Sequence, residues 1–182
     1  IPLILLALVE VISSSRIVMT KAQWVSKLKT LASQPSRYSM EYPKNVLYFD
    51  GTYWWADCSN LMKALFNGRD INDKTPGSYQ HDLSNTGDVN DQGLIQLCTD
   101  ISSDFTRLRA GEPRLIHMNG HIGAYIGEEV RRPEGICNVI ECTAAWEGGI
   151  LYSYVSSNGG RYTFKGGYSG GTWTRHGKPS KW

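Results

Sequence analysis

The apolar residues of this chain change their spacing once, from a period of about 3.6 in the first half to about 2 in the second. In "MTKAQWVSKLKTLASQP" Trp24, Leu28 and Leu31 share one helical face, opened by a Thr20/Gln23 capping-box pattern and stopped before Pro35. A second helix begins near Cys58 in "YWWADCSNLMKALFNG", with Asp57 as N-cap, Leu61, Ala64 and Leu65 as its apolar stripe, and Asn67-Gly68 as its stop. A third is expected over about residues 94–108. Beyond it "PRLIHM", "HIGAYIG" and "CNVIECTA" alternate or run apolar as short strands, separated by turn formers such as Asn119-Gly120. More strands are expected around residues 151–155 and 163–173. Helices first and strands afterwards predict an α+β domain with an antiparallel sheet.

A chain of 182 residues, 41% apolar and 20% charged, suits one domain with a core able to hold itself together. The net charge of +2 is too small to point to a nucleic-acid partner. The four cysteines lack the CxxC spacing of zinc or redox sites and are read as unpaired thiols, although Cys137 and Cys142 could approach within a hairpin. Residues 1–18 form an apolar run broken by Glu10, too short to span a bilayer, so stable membrane insertion is not expected. They read as a clipped leader or upstream segment outside a fold that occupies residues 19–182. The polar stretch 69–90 reads as a surface insertion. At its end "DVNDQG" matches the opening of a calcium loop, but Gln92 and Thr99 stand at its fifth and twelfth positions, so calcium is not expected.

Chemistry concentrates on three residues. A thiol at a helix N-terminus faces unpaired backbone N–H groups and the positive end of the helix dipole, which favour thiolate over thiol, so Cys58 is the candidate nucleophile. The competing reading is a small apolar filler on a buried helix end. Of the histidines, His81 falls in the polar insertion and His176 in a Gly-rich tail, and both are expected to be solvated. His117 and His121 are split by Asn119-Gly120, which breaks any helix that would bring both to one metal. His121 shares a strand face with Gly123 and Tyr125, and the glycine leaves room beside the imidazole for a substrate groove. Glu141 in "NVIECT" can lie across the hairpin and orient His121, or it can simply face solvent, because the loop leaves the register open.

The order of "DCSNL", "AGEPRLIHM", "GHIGAYIG" and "NVIECT" resembles NlpC-type papain-like cysteine peptidases of the cell wall, and the resemblance runs from Met19 to the C-terminus, looking like compact phage and prophage endolysins. It implies a papain-like fold, no cofactor or metal, and cleavage of an amide bond in peptidoglycan stem peptides, as a γ-D-glutamyl-diamino acid endopeptidase. Cys58 would be the nucleophile, His121 the general base and Glu141 the third polar residue, where the family commonly has histidine, asparagine or glutamine. Asn60 replaces the usual glycine after the serine. The family's upstream tyrosine corresponds to Tyr48, with Tyr53 as a rival; Asp57, if not consumed by capping, would meet a substrate amine; Trp55, beside Trp54, would line the groove. Bacterial peptidoglycan is then the partner and a monomer the expected state. The place of action is the cell wall, reached by secretion or through a holin-type pore. A CHAP-like N-acetylmuramoyl-L-alanine amidase and a non-catalytic wall-binding module, in which the aromatic loop and the tail stack on glycans, remain as alternatives.

Overall fold

The computed structural model describes residues 18–41, 46–77 and 83–182. Helix α1 (Lys21–Ala32) starts on the Thr20/Gln23 capping box and buries Trp24, Leu28 and Leu31, as its spacing predicts. Trp24 stacks on Phe66 at 5.7 Å and meets Trp182 at 4.6 Å, which ties the first helix to the C-terminus. Val18 packs on the same cluster. Most of the expected leader, residues 1–17, lies outside the described residues, as does His81.

The aromatic loop after α1 contains three short strands, β1 (Ser36–Tyr38), β2 (Tyr48–Phe49) and β3 (Trp54–Ala56), in the order β1-β3-β2 with β1 parallel to β3. Helix α2 (Cys58–Phe66) follows, capped by the Asp57 carboxylate, which accepts from the Asn60 N–H at 2.7 Å. The helix was expected to bury one stripe; instead all nine of its residues are buried. Strand β3 and the later segments Asp91–Gln96, His121–Arg131 and Ile136–Thr143 pack around it, and the insertion, which does not simply wrap the surface, closes its C-terminal end: Asn85 Nδ2 donates to the Phe66 carbonyl at 2.7 Å, and Asn67 Nδ2 donates to Thr86 Oγ1 at 2.7 Å. Of the last carbonyls of α2, those of Lys63, Ala64 and Leu65 accept from the backbone of residues 67–69, and only that of Phe66 is satisfied by the returning chain.

The expected helix over 94–108 is largely absent. Helix α3 (Asp91–Gln96) is capped by Asn90 and ends within six residues, giving way to strand β4 (Cys98–Ser102) and a single 3-10 turn at Phe105–Arg107. Tertiary pairing overrides local preference here. Asp100 adopts φ +51°, which an α-helix does not allow, and its carboxylate is held by Arg107 and Arg114, each at 3.1 Å.

The remaining strands are β5 (Arg114–Met118), β6 (His121–Arg131), β7 (Ile136–Thr143), β8 (Gly149–Val155), β9 (Gly160–Tyr162), β10 (Ser169–Thr172) and β11 (Arg175–Pro179). Residues 163–173, expected as one strand, turn before β10 and leave it at Trp173. With β4 these strands form an eight-stranded antiparallel sheet in the order β10-β9-β8-β7-β6-β5-β11-β4, so the molecule is α+β. Ile122, Ala124, Ile126 and Ile140 pack with the helices, while Ile116, Tyr125, Val139 and Trp173 form a second cluster. The alternation read from β6 therefore separates two buried faces. Cys137 and Cys142 lie five residues apart on β7, which sends their side chains to opposite faces and prevents a bridge between them. Among the described residues no helix is long and apolar enough to cross a membrane.

Candidate active site

Cys58 is the first residue of α2, and Asp57 satisfies the N–H groups just beyond it. The thiol is only 6% exposed, but it lines a groove of about 260 Å³ together with Tyr38, Asp57, Asn60, Lys63 and Gly120. The filler reading of a sealed helix end does not describe this environment. The groove is charged on both signs, with buried Lys63 paired to Asp88 at 3.0 Å and with Asp91 on its wall. Burial raises Asp57 above the ordinary carboxylate range, opposed by the Asn60 N–H and Lys63.

His121 opens β6 directly after the Asn119-Gly120 turn, where Gly120 has φ +78° and pairs its N–H with Asp91 Oδ2 at 3.1 Å. Its Nε2 lies 2.5 Å from Glu141 Oε2, and Cys58 is the other side chain that acts on the ring. Burial alone would lower the imidazole, but the interaction with Cys58, the hydrogen bond to Glu141 and the charge of Glu141 outweigh it and push His121 up to about 9. The ring lies over that of Trp173 at 5.3 Å with an interplanar angle of 22°. The space left by Gly123 belongs to this tryptophan rather than to a substrate. A Cβ there would sit 3.0 Å from Trp173 Cη2 and 3.3 Å from Glu141 Cβ.

The register left open by the sequence pairs Glu141 with Gly123 and makes the carboxylate fully buried, so it does not face solvent. Ser153 Oγ donates to Oε1 at 2.5 Å, and Arg161 reaches both oxygens, Nε at 3.1 and 3.0 Å and Nη2 to Oε2 at 2.6 Å. Burial would raise Glu141; the hydrogen bonds from His121 and Arg161 and the Arg161 charge overcome it and keep the group below its ordinary value. A sulfur, an imidazole and an ionised carboxylate in series can take the thiol proton onto His121 and stabilise the resulting imidazolium.

Cys58, His121, Glu141 and Asp57 thus come together, and Tyr48 and Trp55 do not join them. Tyr48 pairs with Trp55 across β2 and β3, Trp55 Nε1 donates to Asp50 at 2.7 Å, and neither lines the groove at Cys58. Tyr53 stacks under Arg37 at 4.4 Å. Trp54 is wholly in the core and does not line the groove. The tyrosine beside the thiol is Tyr38, pushed up to about 12 by burial and by the charges of Cys58 and Asp57. Sequence reasoning missed Tyr38, Ser153, Arg161 and Trp173. Only Trp173 left a signal, since a glycine within a strand marks a close approach by another group.

The other histidines have structural partners. His117 is buried, accepts from Arg175 Nε at 3.3 Å through Nδ1, and therefore donates through Nε2 to Asp91 at 2.8 Å; burial lowers it. His176 was expected to be solvated but is 0% exposed, because β11 lies inside the sheet between β5 and β4, and its Nε2 donates to the Asp104 carbonyl at 2.8 Å. Among the described residues no three His, Cys, Asp or Glu side chains are grouped to hold a metal ion. No family model, no curated protein and no solved structure matches the chain.

Proposed function

We propose that the protein is a cysteine hydrolase of papain-like, NlpC-type character that cleaves an amide bond in peptidoglycan stem peptides. The observation that carries this reading is the convergence of Cys58, which lines a groove at the N-terminus of a buried helix, with the hydrogen-bonded pair His121–Glu141. The walls of that groove, with Asp57, Asn60, Lys63 and Asp91, are polar, as a peptide rather than an apolar ligand would need.

In this mechanism the Cys58 thiolate attacks the amide carbonyl, and its own backbone N–H at the helix mouth helps hold the oxyanion. The His121 imidazolium gives its proton to the departing amine nitrogen as the C–N bond breaks, leaving a thioester on Cys58. Neutral His121 then takes a proton from water, whose oxygen attacks the thioester, and returns it to the sulfur as the carboxylic acid leaves. The test is digestion of purified walls, of both diaminopimelate and lysine types, by wild-type and Cys58→Ala protein with mass spectrometry of the released muropeptides. New γ-D-glutamyl-diamino acid cleavage products from wild type alone are expected. Cleavage between sugar and peptide would assign the amidase reading, and wall clearance by Cys58→Ala would end both.

A further inference from the structure

We propose that Arg161 is a positioning residue for the Cys58–His121 pair: it clamps the Glu141 carboxylate in place and balances its charge. The proposal rests on the hydrolase reading above. A carboxylate has about four lone-pair sites, and those of Glu141 are taken by His121 and Arg161 Nη2 on Oε2 and by Ser153 and Arg161 Nε on Oε1. Arg161 is fixed just as firmly. Its Nη1 donates to the Gly170 carbonyl at 2.8 Å and Nη2 to Thr143 Oγ1 at 2.9 Å, while its guanidinium lies over the rings of Trp146 at 4.5 Å and Trp173 at 5.6 Å. With only 6% of its side chain exposed, it is placed to hold Glu141 rather than to meet a substrate.

The reaction explains why such a clamp matters. His121 is charged while it faces the thiolate and neutral once the thioester has formed, so a glutamate balanced by His121 alone would become an isolated buried charge in mid-cycle. Arg161 keeps the carboxylate paired in both states, and the imidazole keeps its tautomer and orientation. The Trp173 ring lies beside both His121 and Arg161, the two side chains that bond Glu141 Oε2. The ionisable groups that bear on His121 are Cys58 on α2 with Asp57 beside it, His117 on β5, Glu141 on β7 and Arg161 on β9.

The experiment follows the His121 ring titration by NMR, together with wall solubilisation, in full-length wild type, Arg161→Lys, Arg161→Gln and the double variant Glu141→Gln/Arg161→Gln. Loss of the guanidinium charge should move the His121 titration upward in Arg161→Gln and lower the solubilisation rate about 10- to 100-fold. Arg161→Lys keeps the charge and should titrate close to wild type. The double variant has no unbalanced charge; it should fold even if Arg161→Gln does not, recover part of the rate, and titrate below wild type. Equal losses of rate in Arg161→Lys and Arg161→Gln with an unmoved titration would reduce Arg161 to a packing residue and overturn the proposal, as would a wild-type rate in Arg161→Gln. Wild-type protein that solubilised no wall would instead sink the hydrolase reading while leaving the titration result intact.

Discussion

The indole of Trp173 lies against the imidazole of His121 in the space left by Gly123. Gly123→Ala should therefore disturb both the core and the site, because the added methyl meets Trp173 Cη2 at 3.0 Å and Glu141 Cβ at 3.3 Å. Overpacking of this kind typically costs about 1–3 kcal/mol, which corresponds to a Tm lower by roughly 3–10 °C. Calorimetry checks it, and an unchanged Tm would show that the neighbours yield without strain.

Iodoacetamide at neutral pH should label Cys58 first, roughly tenfold or more ahead of the other thiols. Burial pushes Cys98 up to about 12, Cys137 up to about 11 and Cys142 well above its ordinary range, so these three stay protonated. Peptide mapping after partial alkylation reads the order directly. Uniform slow labelling would favour the wall-binding module over the hydrolase.

His121 also makes stability depend on pH. Its value of about 9 in the folded protein lies above the ordinary 6.5, so the stabilisation is fully present below about pH 6.5 and is lost as pH rises to about 9. The Tm difference between wild type and His121→Ala should be greatest near pH 6 and shrink towards pH 9. A difference that grew with pH would contradict a protonated His121 held by Glu141.

Two substitutions separate the cap from substrate binding at Asp57. Asp57→Ala removes the acceptor for the Asn60 N–H and should cost about 1 kcal/mol, whereas Asp57→Asn, an equally good cap, should stay within a few tenths. A raised KM for Asp57→Asn at unchanged Tm would indicate contact with a substrate amine. Unchanged KM would leave Asp57 as a helix cap alone.

Glu141→Gln tests the buried pair from the other side. It leaves the guanidinium of Arg161 without a counter-charge in a site where both side chains are almost wholly covered, a loss of about 3–5 kcal/mol. Denaturant unfolding should show it as a lower midpoint with an unchanged slope. A midpoint equal to that of wild type would mean that the ion pair contributes nothing to stability.

Local chemistry made much of this molecule readable before any fold was known. The Thr20/Gln23 box, the Asp57 cap ahead of Cys58 and the Asn119-Gly120 turn each rest on contacts within a few residues, and each appears where the spacing predicts. The third helix failed for the opposite reason. Residues 98–102 run as an edge strand because β11, some eighty positions later in the chain, supplies their hydrogen-bond partners.

The site divides in the same way. Its cysteine at a helix mouth, its imidazole at a strand start and the neighbouring strand that carries a carboxylate were determined by sequence alone, since caps and alternation act over short range. Whether Glu141 faced His121 depended on a register set across a loop, and the surroundings of that pair depended on residues that no local period connects. Arg161, Ser153 and Trp173 converge there only because β8, β9 and the chain after β10 fold back over β7, bringing a guanidinium and an indole to a carboxylate that burial alone would not tolerate.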